Sequence, residues 1–149
     1  MLDIYEQAIS DLKKAIEDIP DEALTIIIDP PTTDENCKSI QAILSHVVSS
    51  GYGYATNIHN IKGNNIKRPD KTFHSTIKEY LAELTKVFTY TETVFKEIKD
   101  NELEQFDNSL KIKTAWGQLY DIEQITEHPI VHILRHKRQI DKIKRNGLK

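Results

Sequence analysis

Apolar residues return every three or four positions along most of this chain, and the stretches in which they do so predict four amphipathic helices. The first covers residues 2–19, with Ile4, Tyr5, Ala8, Ile9, Leu12, Ala15, Ile16 and Ile19 on one stripe, and Pro20 ends it. The second opens from an N-cap within residues 33–36 and carries Ile40, Ile43, Leu44, Val47 and Val48, then Tyr52, Tyr54, Ala55 and Ile58. Its glycines, Gly51 and Gly53, each weaken a helix by about 1 kcal/mol against alanine, so a close neighbour or room beside a site should compensate. The third covers residues 75–99, with Ile77, Tyr80, Leu81, Leu84, Val87, Phe88, Val94, Phe95 and Ile98 as its stripe. Asp121 caps the fourth, whose apolar positions are Ile122, Ile125, Ile130, Val131, Ile133, Leu134, Ile140 and Ile143. Pro129 interrupts that last pattern and predicts a kink or a restart of the helix.

The connections are long. Residues 20–35 hold three of the five prolines and a short isoleucine run that should lie against the helices. Residues 59–73 turn to Lys, Asn, Gly and Asp and read as an exposed loop. In residues 102–119 the alternation around Ile112 suggests an extended piece, and Trp116-Gly117 a turn. The pattern as a whole predicts an all-α four-helix bundle with long connections, one domain over residues 1–149.

Charge and composition narrow the function. A net charge of -3 offers no basic face for nucleic acid. The local run of Arg and Lys after residue 134 suits the last turns of a solvated helix. A lone Cys37, read as an ordinary thiol, allows no internal disulfide and fits a reducing cytoplasm. No apolar run approaches a membrane span, and the first residues do not resemble a signal peptide.

The candidate chemistry lies in His128-Pro-Ile-Val-His132-Ile-Leu-Arg-His136-Lys-Arg-Gln139-Ile140, which places three of the six histidines at spacings of four. Four residues advance roughly 400° around a helix, so His132 and His136 share a face one turn apart and can grip one divalent ion. An isolated pair at this spacing is more often a pair of polar residues satisfied by carboxylates or water. A third ligand must come from another element, and only His46 sits in the middle of a core-rich helix; His59 and His74 fall at helix ends or in the loop. His128 repeats the spacing, but the helical drift of about 40° per step and the following proline suit it to a place behind the ligands or in a substrate pocket rather than to a ligand's. Gln139 is the candidate to hold a ligand ring from behind, while Arg135 and Arg138 suit solvent and Tyr52, Tyr54 and Trp116 could line a pocket or pack in the core. Ile133 stands where a His-Glu-x-x-His helix has its glutamate, which disfavours protease chemistry.

The segment Ser39-Ile-Gln-Ala-Ile-Leu-Ser-His46-Val-Val-Ser-Ser-Gly-Tyr together with the later His-x-x-x-His followed by Arg-Gln-Ile resembles the DinB/YfiT superfamily of metal-binding four-helix bundles. The resemblance covers the chain in helix order and length. It implies a metal site on His46, His132 and His136, one zinc or nickel ion, and a small-molecule substrate. It also implies a thiol S-transferase or hydrolase-like activity, in some branches with a low-molecular-weight thiol as cosubstrate. The competing expectations are a non-catalytic, stress-associated bundle whose metal only fastens helices, and a homodimerisation module using helices one and three.

Overall fold

A computed structural model describes residues 1–28 and 33–148 and shows four helices: α1 (Leu2–Ile16), α2 (Ile40–Asn60), α3 (Ile77–Phe95) and α4 (Ile122–Asn146). The prolines at 30 and 31 lie outside the described residues. Each helix begins and ends for local reasons. Ser39 caps α2 by accepting from Ala42 N–H, so the cap falls later than residues 33–36 suggested; Asp34 instead caps a short 3-10 turn, Glu35–Cys37. Thr76 with Glu79, and Asp121 with Gln124, form reciprocal capping boxes at α3 and α4. The first and third helices are shorter than their apolar stripes, because Ile19 and Ile98 continue the burial in turns after the helical backbone has ended.

The helices pack as α1 on α4 and α3, and α2 on α3 and α4. Leu12, Ile16, Ile40, Ile43, Leu44, Tyr80, Leu84 and Ile140 are fully enclosed between them. Burying each such side chain contributes about 1.5–3 kcal/mol, and this core, rather than helix propensity, holds the bundle together. Leu24 is likewise buried, and Ile26 and Ile28 pack against the core from the first connection.

Gly51 explains how α2 and α3 come so close. A Cβ there would stand 2.8 Å from Val87 Cγ2 and 3.4 Å from the Tyr5 hydroxyl. Pro129 neither ends nor restarts α4: the helix runs through it, with the proline buried against α2 and α1. The hydrogen bond lost to proline costs about 3 kcal/mol, and the surrounding packing must outweigh that.

Between α3 and α4 a two-stranded antiparallel hairpin forms, β1 (Ile112–Lys113) with β2 (Leu119–Tyr120), turning at Gly117 with φ 89°. Ile112 enters a second core cluster with Tyr54, Ala55, Ile58, Val94, Ile122 and Ile125, which fastens the hairpin to one end of the bundle. No helix among the described residues is long and apolar enough to cross a membrane.

Candidate metal centre

His46 on α2 and His132 and His136 on α4 meet in the seam between those helices. The α-helical repeat brings His132 and His136 to one face, and the core residues around them fix which face turns inward: Ile133 and Ile140 on α4, Val47 and Leu44 on α2. Nε2 of His132 lies 2.9 Å from Nε2 of His46 and 3.2 Å from Nε2 of His136. All three rings stand nearly perpendicular to one another, at 73°, 80° and 84°.

Protons alone satisfy this arrangement poorly. The Nε2 of His132 carries either one hydrogen or one lone pair, so it cannot complete linear hydrogen bonds to both neighbours. A cation resolves the conflict. Donors about 2.0–2.1 Å from a shared ion, at angles between octahedral and tetrahedral, lie roughly 2.9–3.4 Å apart, the range of these two separations. The three imidazoles, with donor atoms all within 4.8 Å of one another, are a donor set suited to a zinc- or nickel-type ion.

The protonation states agree with that chemistry. Burial, with the positive charge of neighbouring groups, pushes His132 down to about 3 and His46 down to about 4, and burial lowers His136 as well. All three are neutral near pH 7, the form that donates a lone pair. The ring of His136, only 6% exposed, has Nδ1 3.0 Å from Gln139 Oε1. When that N–H donates to the amide oxygen, the lone pair is left on Nε2, facing the other two rings.

An open pocket of about 320 Å³ covers the cluster and is lined by Asp34, Cys37, Arg135 and Gln139 besides the three histidines. Asp34 is held below the usual carboxylate range chiefly by the Asn36 N–H, so it adds negative charge to a site suited to a cation. Burial pushes the Cys37 thiol up, and its Sγ lies 3.5 Å from Asp34 Oδ2, so it is a protonated wall rather than a ready nucleophile. Sequence reasoning did not single out Asp34 or bring Cys37 to this pocket. The available signal was Ser39, seven residues before His46 and so on the same face of α2, with the Asp34–Cys37 turn just ahead of it.

His128 sits outside the trio. Its ring stacks on Trp116 at 4.8 Å and 25°, and lies 6.4 Å from His132 in a nearly parallel plane. Tyr54 stands edge-on to Trp116 and to His132, and Tyr120 closes the group beside Trp116. An aromatic wall thus leads from the histidine cluster to the hairpin. Tyr52 does not join it: it faces Tyr90 at 5.8 Å and lines a different pocket with Ser45, Lys71 and His74. Nor is His59 simply solvated, since its Nδ1 is buried without a partner among the described residues.

A model of the DinB family matches residues 1–146 of the chain. No curated protein and no solved structure matches it.

Proposed function

Since the chain belongs to the DinB family, and its three-histidine cluster suits a metal ion, we propose that it is a metal-dependent enzyme acting on a small molecule in the cytoplasm. His46, His132 and His136 hold one divalent ion, zinc or nickel, and Gln139 fixes the ring of His136. What carries this is the convergence of three neutral Nε2 atoms beneath an open pocket, with no fourth imidazole, thiol or carboxylate joining them among the described residues. Three protein donors and an open side suit catalysis better than a closed structural site does. Bound there, such an ion supplies Lewis acidity that brings the pKa of a water or a thiol toward neutrality. The reaction classes that follow are thiol S-transfer, with a low-molecular-weight thiol as cosubstrate, and hydrolysis.

The protein's own share is to keep the donors neutral by burial, to aim them by core packing and by Gln139, and to wall the open pocket above them with Asp34, Cys37 and Arg135. Elemental analysis tests the ligand set. Protein purified without a histidine tag should carry about one zinc or nickel per chain, and His46→Ala should carry under about a tenth of that while keeping its helical circular dichroism. Full occupancy in His46→Ala would overturn the assignment.

A further inference from the structure

Beyond the histidines, α2 continues the same face into a second pocket. Gly53 and Asn57 follow His46 by seven and eleven residues, which returns both to within about 20° of its direction, with Gly53 about 10 Å further along the axis. There a cavity of about 420 Å³, open to solvent, is walled by Gly53, Thr56, Asn57, Arg68, Lys113 and Ala115, among others.

Three observations point to a ligand in it. Thr56 is 4% exposed, and its hydroxyl has no partner among the described residues. Buried helical threonines elsewhere in the bundle return the hydroxyl to the carbonyl four residues back, as Thr91 does to Val87 at 2.9 Å and Thr126 to Ile122 at 2.6 Å. A hydroxyl left without a partner at that depth is a donor in need of an acceptor.

The second observation is charge. Arg68 and Lys113 flank the cavity from the loop and from the hairpin, and neither forms an ion pair with a described carboxylate. Arg68 lies directly over Gly53, where a Cβ would stand 3.0 Å from its guanidinium nitrogen. The third is position: Gly53 lies on the face of α2 that carries His46, and Ala115 on the cavity's wall adjoins Trp116 in the chain, whose exposed ring stacks on His128, 6.4 Å from the ring of His132.

We propose that this cavity binds the oxyanion, a carboxylate or phosphate, of a small molecule whose body lies along Trp116 and Tyr54 toward the three histidines. Arg68 and Lys113 supply the charge, with the forked guanidinium suited to two oxygens, and the Thr56 hydroxyl donates to a third position on the anion. The assignment of the molecule as substrate rests on the metal-dependent reading above; the binding of the anion does not.

Metal-free and zinc-loaded protein would be titrated with benzoate, phenyl phosphate and uncharged benzyl alcohol. Binding would be followed by calorimetry and by the fluorescence of Trp116, the one tryptophan of the chain. At least one anion should saturate below about 1 mM, in the range usual for small substrates, with the alcohol at least tenfold weaker. Which anion binds tighter tells carboxylate from phosphate. Arg68→Gln should weaken the anion at least about tenfold with unchanged zinc content. Thr56→Val should weaken it severalfold while leaving the melting temperature equal or higher, because it removes an unsatisfied hydroxyl.

Equal affinity for alcohol and anions, no saturation, or wild-type binding by both Arg68→Gln and Lys113→Gln would overturn the oxyanion site. Zinc held at one per chain with no anion binding sinks this site alone. Anion binding by a protein that takes up no zinc keeps the site and sinks the metal reading.

Discussion

The seam between α2 and α4 is built differently at its two ends. At the histidine end every donor comes from a helix, and the ring of His136 is enclosed and fixed by Gln139 on its own helix. At the hairpin end Trp116, Lys113 and Arg68 come from connections laid over the helices, all three exposed, and only His128 and Tyr54 are helical. A metal tolerates errors of only a few tenths of an ångström in its donors, and helices in a packed core can meet that demand. A binding wall for an organic molecule can be assembled from loops, which adapt more readily.

The comparison breaks most sharply at Gln139. Gln139→Leu keeps the size of a half-buried side chain but frees the Nδ1 of His136. Zinc affinity, measured by competition with a chelator, should fall about 10–100-fold, or about 1.4–2.7 kcal/mol. Trp116→Leu at the other end should leave that affinity unchanged. If Trp116→Leu weakens zinc as much as Gln139→Leu does, the two ends are not separate in the way their construction implies.

The same division decides how much could be read from the sequence. The all-α bundle was legible because Leu12, Leu44 and Leu84 fall on unbroken three-four repeats, and the spacing of His132 and His136 survives folding because a helix preserves it. Pro129 left a kink or a restart open, and only the restart is removed: the helix passes through it, held by packing that local propensity does not contain. The places of Arg68, Lys113 and Cys37 depend on how the connections at residues 61–76, 96–121 and 17–39 fold back, which no local period encodes. Tyr52 and Tyr54, two residues apart, were indistinguishable as pocket candidates until helix packing turned one toward Tyr90 and the other toward His132.

Next in size is a pH effect centred on the histidine end, with burial moving His128 at the hairpin end in the same direction. Burial holds His46 at about 4 and His132 at about 3 in the folded state, against an ordinary 6.5 in the unfolded chain, and His136 moves the same way. Between those values the unfolded chain binds more protons than the folded one, so stability falls as the pH drops from about 6.5 toward 4 and is level above. Metal-free protein should therefore show a lower urea midpoint at pH 5 than at pH 7. The dependence should be shallower in His132→Gln. A midpoint that is constant or higher at pH 5 would contradict the burial of neutral imidazoles.

The smallest effect separates the two glycines of α2. At Gly51 an added methyl meets Val87 Cγ2 at 2.8 Å, within the core between two helices that would have to part. Overpacking there costs about 1–3 kcal/mol, more than the roughly 1 kcal/mol alanine gains in helix propensity, so Gly51→Ala should lower the urea midpoint. At Gly53 the methyl meets the guanidinium of Arg68 at 3.0 Å, the far end of an exposed, flexible side chain. Arg68 can swing aside at little cost, so propensity prevails and Gly53→Ala should be neutral or stabilised by up to about 1 kcal/mol. The displaced arginine then leaves the oxyanion cavity, so this stabilised variant should bind benzoate or phenyl phosphate more weakly while holding zinc as before. A glycine retained against the helix's own preference is what a position reserved for Arg68 requires.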